Sequence, residues 1–477
     1  MKKINFLFLL VASLGWFSCS ENIMQEINKD KNHPNEMVSK LIITDVINST
    51  SFTITGSDFA FYASVYVEYN VGTYNQMYNA EVRTGEPSSA TTYNNIWGAV
   101  YSNLLNLRTI IEQCSPGGKE EGNTTVLGMA QILSAYDLAM LTDLMGDVPW
   151  TEALQPGVVW TPKLDSQQSI YEAVNQFITD GIDNLGKATT FPVIGAQDPI
   201  YAGKAASWLK FAYGLKARYA MRLSKVKPDY NAVIDAAGKS FTNKSEEAVY
   251  KCGTVHNPFN QFFTDRDYFG ASQSLHDKLT DLKDPRDAKF FIAYPGTGEL
   301  VFAPNGNPEQ RQKYYGISAQ ATSTVAAPIY LMSYHELEFL KAEAYARNND
   351  LVNAKAHLKT AITTCFTNVG LTATDADNYY TSKVEPKLVG QTEMIKAIMM
   401  QKYLGLFEGE SVETYNDIRR LKAMGQGDFI PLANPYKFPL RYSYGADDVT
   451  TNVNVRNAYG DGSYVYTENV WWAGGTR

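Results

Sequence analysis

Chemistry in a polypeptide needs clustered His, Cys, Asp or Glu, or an activated nucleophile, and this chain offers few such clusters. The five histidines (His33, His256, His276, His335 and His357) lie far apart, and none has a neighbour at metal-ligand spacing. H-E-x-x-H, G-x-S-x-G, a phosphate loop and G-x-G-x-x-G are all missing. Acidic pairs do occur. Asp143 with Asp147, or Asp265 with Asp267, could divide acid and base work in glycoside hydrolysis, which gives a surface glycoside hydrolase as one reading. With 50 acidic residues in the chain, pairs also arise by chance, so a structural role comes first. Asp375 and Asp377 alternate as in a calcium loop but lack its Gly and terminal Glu. No cofactor is expected; a structural calcium is the one metal the pattern leaves open.

Recognition without chemistry fits the residue types better. A neutral glycan offers C–H faces that stack on aromatic rings and hydroxyls that need fixed polar partners, so its site combines Tyr or Trp with Arg, Asn or Asp on ordered loops. Three groups qualify: Tyr74, Tyr78, Asn79 and Arg83; Trp160; and Arg266, Asp267 and Tyr268. The competing reading is that loop tyrosines pack each loop onto its scaffold. A third reading is an assembly scaffold that binds only protein. Trp97, inside a helical stretch, is assigned to the core.

These groups need a frame. Asn123 to Gly146 reads as a buried helix capped by the Asn123 side chain and stopped by Gly146 and Pro149, with Asp143 and Asp147 hydrogen-bonding the turn. Further helices are expected over 36–47, 56–69, 93–113, 166–186, 205–225, 230–237, 328–348, 351–364 and 392–407. Between them lie aromatic, Gly- and Pro-containing loops over 71–92, 150–163 and 428–477. A longer irregular segment, 253–320, is punctuated by Pro258, Pro285, Pro295, Pro304 and Pro308. Ala342, Tyr345, Ala354, Leu358 and Ala361 follow the spacing of a tetratricopeptide unit, in which small residues let antiparallel helices approach closely. Glu338 and Lys341 miss its apolar places, and Ala220, Leu223, Ala232 and Ala236 fit more weakly. The fold class is therefore all-α: tetratricopeptide-like helical hairpins with long irregular insertions.

Lys2 and Lys3, an apolar run from Ile4 to Leu14 and Ser18-Cys19 read as a cleaved export signal over 1–18. Cys19 then sits where a lipoprotein carries its acyl chains, although Trp16 occupies the usual Leu position; the alternative is a secreted protein cut elsewhere. Residues 19–35 form a polar tether, and 36–477 a single helical domain. Cys114, Cys252 and Cys365 are core thiols, or at most one bridge with one left over. The formal charge of −8 becomes −10 once Lys2 and Lys3 leave with the signal, which argues against nucleic acid as a partner.

The motifs are also ordered in a familiar way. LTDLMGDVPWTEAL (141–154) carries an L-x-D-x-x-G-D-V-P-aromatic-x-E-A run. It stands with the Cys19 leader, YNNIWGAVYSNLLNL (93–107), WLKFAYGLKARYAMRLS (208–224), MSYHELEFLKAEAYAR (332–347), MIKAIMMQKYLGLF (394–407), YNDIRR (415–420) and a terminal VWW. In order and spacing these resemble the SusD-like (SusD/RagB) nutrient-binding outer-membrane lipoproteins, across nearly the whole chain. The resemblance implies a lipid anchor in the outer membrane facing outward, an oligosaccharide or peptide ligand, no catalysis, and a TonB-dependent (SusC-like) transporter as partner. Binding residues in that family vary with the loops, so the aromatic and polar groups named above are chosen from this sequence.

Overall fold

The computed structural model describes residues 37–85, 90–253 and 255–477; the leader, Cys19 and the tether lie outside them. Helix α1 (Ser39–Ser49) continues into a π-helical turn, and α2 (Asp58–Tyr66) follows. Next come β1 (Asn70–Gly72), α3 (Asn75–Glu81), α4 (Asn94–Cys114), α5 (Thr124–Met145), β2 (Val148–Pro149), β3 (Leu164–Asp165) and α6 (Gln167–Leu185). The middle of the chain holds α7 (Ala205–Arg222), α8 (Tyr230–Gly238), β4 (Ala248–Tyr250), α9 (Pro258–Arg266), β5 (Phe269–Ala271) and α10 (Gln273–Leu282). Beyond β6 (Phe291–Ile292), β7 (Ile317–Ser318) and β8 (Ile329–Met332) come α11 (Tyr334–Arg347), α12 (Leu351–Asn368), α13 (Ala373–Tyr379), α14 (Gly390–Gly405) and α15 (Ser411–Ala423). The strands form two-stranded antiparallel pairs, β1 with β5, β2 with β3, β4 with β8 and β6 with β7. Helices dominate, and one continuous buried cluster runs from Ile42 to Ala473.

Helix α5 is the axis of this core, being apolar nearly all round and buried from Val126 to Met145. It meets α6 at glycines: a Cβ on Gly128 would fall 2.6 Å from Leu185, and one on Gly181 2.6 Å from Ile132. The stop at Gly146 is as expected, with φ +83° and Arg441 Nη1 only 2.8 Å from where a Cβ would sit. The cap is not as expected. No side-chain cap bond forms at Asn123, whose Nδ2 instead donates to Glu120 Oε2 at 3.1 Å. The turn roles also divide. Asp147 accepts from the Gln167 backbone N–H at 2.8 Å, tying the turn to the start of α6. Asp143 is buried and pairs with Arg222 Nε at 3.1 Å, so it braces α5 against α7 rather than holding the turn.

The tetratricopeptide-like hairpins are α7 with α8 and α11 with α12, and the residues that break the motif have partners. Glu338 meets Lys341 Nζ at 2.7 Å and His357 Nδ1 at 2.7 Å, linking α11 to α12. Asp375 serves a capping box with Thr372 at the start of α13, and Asp377 lies 2.5 Å from Lys359. Cys114, Cys252 and Cys365 are buried free thiols.

Four expectations of irregular or continuous structure are corrected. The loop over 71–92 contains β1's end and α3, because Met77, Ala80 and Glu81 find a buried face. The segment 253–320 holds α9 and α10: Pro258 occupies a first-turn position behind the Asn257 cap, where a missing N–H costs nothing, and Ser272 caps the second helix. The stretch after Pro328 begins as strand β8, paired with β4, and turns helical only at Tyr334. The 428–477 tail includes short helices at Ala446–Thr451 and Val453–Tyr459.

Helix α15 was not anticipated at all, because its buried face is charged. Arg222 pairs with Glu413; Lys402 reaches Asp417 at 2.7 Å; Arg420 holds Glu343 through two 2.7 Å bonds and Asp417 at 2.9 Å.

Candidate functional site

The β1–β5 pairing brings together two of the three aromatic groups. With Gly72 opposite Phe269, the Thr73 N–H donates to Tyr268 O at 2.8 Å, and the rings of Tyr74 and Tyr268 lie 5.6 Å apart. Asn75 Nδ2 donates to the Tyr268 hydroxyl at 3.2 Å. Tyr74 and Asn79 are exposed and Tyr78 is half-buried, whereas Tyr268 is buried. Arg83 turns inward, its guanidinium 4.9 Å above the Tyr66 ring and its Nη1 donating to the Ala80 carbonyl, so it braces the end of α3. Asp267 takes a left-handed conformation (φ +54°) at the end of α9 and accepts from Lys313 N at 2.9 Å and Tyr294 Oη at 3.2 Å. Burial raises its pKa, and its oxygens are engaged in holding the loop.

Arg266, like Tyr74, Asn79 and Trp160, is exposed. It lines a cleft of about 670 Å³ between α2, the start of α3, the approach to α4, and α9. Phe52, Phe61, Tyr62 and Phe262 give the cleft an aromatic wall, with Phe61 packed 4.7 Å from Phe262. Gln76, Asn95, His256, Gln261 and Asp265 supply polar groups. Asp265 accepts from Gln261 Nε2 at 2.8 Å, but among the described residues nothing engages the Arg266 guanidinium or the Asp58 carboxylate. Asp58 stands in the first turn of α2, where the helix dipole favours an anion; burial outweighs this and pushes its carboxyl up to about 6. An aromatic wall beside polar side chains, at a volume within the ~300–1,000 Å³ of ligand pockets, has the make-up of a small-molecule cleft.

Asp58, Gln76, Asn95 and His256 were missed because each sits in or beside a stretch read as helix, loop or turn without its own chemical pattern. The one available signal was the density of Phe and Tyr around Asp58 in GSDFAFYAS.

Trp160 lies elsewhere. It is 80% exposed and therefore does not pin its loop. The loop borders a separate apolar hollow of about 330 Å³ lined by Tyr101, Leu105, Pro149, Pro156 and Pro162 among others. Both spaces border α4, whose Asn95 lines the cleft and whose Trp97 and Gly98 line the hollow. The acidic pairs do not make a catalytic dyad: Asp143 and Asp147 are spent on α7 and α6, and Asp267 on Lys313 and Tyr294.

Comparison with known proteins agrees with this architecture. Residues 31–444 match the SusD-like family model described as starch-binding and associating with the outer membrane. A SusD/RagB family protein from Bacteroides thetaiotaomicron is 42% identical, with 93% of this chain and 100% of that one covered and a TM-score of 0.84. A chitin-binding SusD homolog from Flavobacterium johnsoniae shares the fold at 19% identity, covering 91% of this chain and 98% of its own, with a TM-score of 0.73. Another SusD-like protein from Bacteroides thetaiotaomicron does so at 18% identity, with 91% and 98% covered and a TM-score of 0.74. None of the curated proteins compared with the chain matches it. From the match over 31–444 and the 42% identity across the fold, the chain belongs to the SusD-like (SusD/RagB) family.

Proposed function

We propose that this protein is a non-enzymatic, surface-exposed nutrient-binding lipoprotein. It captures a neutral oligosaccharide in the cleft beside Arg266 and passes it to a TonB-dependent, SusC-like transporter in the outer membrane. A peptide is the alternative cargo. The observation that carries this reading is a single cleft with an aromatic wall and two unengaged ionic groups, Asp58 and Arg266. The exposed Tyr74 and Trp160 extend it as outlying stacking platforms, and Cys19 supplies the anchor. Chitin-binding relatives of the same fold support a glycan cargo.

One observation favours a second reading. Asp58, with its raised pKa, shares the cleft with Asp265, and an acid of raised pKa together with a second carboxylate is the equipment of a glycoside hydrolase. Incubation with candidate oligosaccharides followed by thin-layer chromatography separates the two: intact glycan supports capture, and shortened products support hydrolysis. A Cys19→Ala variant is expected to leave the outer-membrane fraction, and its retention there would remove the anchor from the proposal.

A further inference from the structure

The Asp284-Pro285-Arg286 triplet has no part in the cleft, yet it fixes a fully buried cation. Arg286 Nε lies 3.0 Å from Asp284 Oδ1, and Nη2 lies 2.6 Å from Asp284 Oδ2 and 2.8 Å from Gln401 Oε1. The guanidinium rests 5.0 Å from the Phe366 ring centre. Nη1 remains buried without a partner. Arg286 lines a second cavity, of about 360 Å³, enclosed by the end of α12, the end of α14 and the segment 320–330, with exposed residues of that segment at its mouth.

A second unsatisfied group and a free hydroxyl line the same space. Asn368 places Nδ2 3.4 Å from His335 Nδ1, which leaves its Oδ1 buried and unpartnered. Tyr330 adds a hydroxyl that no described residue engages. A buried donor or acceptor without a partner is costly, so an apolar guest would leave Arg286 Nη1 and Asn368 Oδ1 uncompensated.

Charge does not favour an anion: Asp284 neutralises Arg286 and Glu408 lines the cavity, while burial pushes the Glu410 carboxyl up toward its neutral form. Glu408 is satisfied by Asn70 Nδ2 at 2.9 Å, Ser318 Oγ at 2.6 Å and Thr322 N at 3.1 Å, and Glu410 by Ser333 N at 3.1 Å. Burial keeps His335 neutral, and Lys244 is exposed. The volume falls near the lower end of the ~300–1,000 Å³ range of small-molecule sites.

We infer that this cavity is a second binding site, for one neutral polyhydroxylated molecule of about monosaccharide size, which accepts from Arg286 Nη1 and donates to Asn368 Oδ1, with Tyr330 completing its contacts. It shares no lining residue with the cleft, so its occupancy is independent of the oligosaccharide reading.

The test is calorimetric titration of the whole folded chain with glucose, galactose, N-acetylglucosamine and glycerol, each alone, and with inorganic phosphate. At least one neutral probe is expected to saturate. Its affinity should fall about tenfold in Tyr330→Phe and in Asn368→Ala, and be unchanged in the cleft variant Arg266→Ala. Tyr330→Phe removes one oxygen and serves alone if Asn368→Ala fails to fold. The inference is overturned if no neutral probe binds, leaving a cavity that holds only water. Binding that survives the cavity substitutions, binding that disappears with Arg266→Ala, or saturation by phosphate instead would overturn it equally.

Discussion

Asp58 shows how a single residue can matter without a motif. Its carboxyl, pushed up to about 6 by burial, titrates at the edge of the physiological range. If a sugar hydroxyl donates to the ionised form, affinity in the cleft should rise as pH is raised from about 5 to about 7, and Asp58→Asn should flatten that profile. His256 lines the same cleft, so a pH dependence that persists in Asp58→Asn would transfer the effect away from Asp58. That Arg266, Tyr74 and Tyr268 are candidates was legible in the sequence because aromatic and polar types cluster on short segments. Their division of labour was not: whether an Asp binds a guest or a backbone N–H depends on which strand lies opposite, as Asp267 and Lys313 illustrate.

At the level of elements, hydrophobic periodicity located the helices whose buried faces are apolar, α5 and α6 above all. It failed for α15, where Glu413, Asp417, Arg419 and Arg420 occupy the buried face and are compensated by α5, α7, α11 and α14. Such polar packing is invisible to a pattern of apolar residues, since the partners are up to 276 positions away. Proline misled in the same way at α9, where it opens a helix. The turn after α5 is a frame for the Trp160 loop, and Asp147 is its fastening. Asp147→Ala should cost about 0.5–2 kcal/mol through loss of the bond to the first turn of α6, measured by urea denaturation. Glycan affinity should stay within error; an unchanged stability with lost binding would make Asp147 a site residue.

The whole molecule balances two classes of buried carboxyl. Burial pushes Asp58 up to about 6, and Glu81 and Asp137 to about 7, so at these three sites the folded state binds more protons than the unfolded one from about pH 4 to about pH 7, outweighing His335, which burial keeps neutral. Their contribution is largest in mild acid and fades as pH rises through those values. For Glu343, burial works upward, but Arg420 and Arg347 hold its carboxyl down to about 2. Its contribution is present above about 4.5 and lost as pH falls toward 2. Thermal melts should therefore peak near pH 5, declining slowly toward pH 8 and steeply below pH 4; a maximum at pH 8 would contradict this balance.

Capture of an intact oligosaccharide in the cleft beside Arg266 is the proposed function. Isothermal titration of the folded chain with a panel of neutral oligosaccharides and peptides tests it most directly, with the Arg266→Ala variant in parallel. The prediction is saturable binding of at least one oligosaccharide, recovered uncleaved, with affinity about tenfold weaker in Arg266→Ala. No binding by any member of the panel, or equal affinity in the variant, would contradict it.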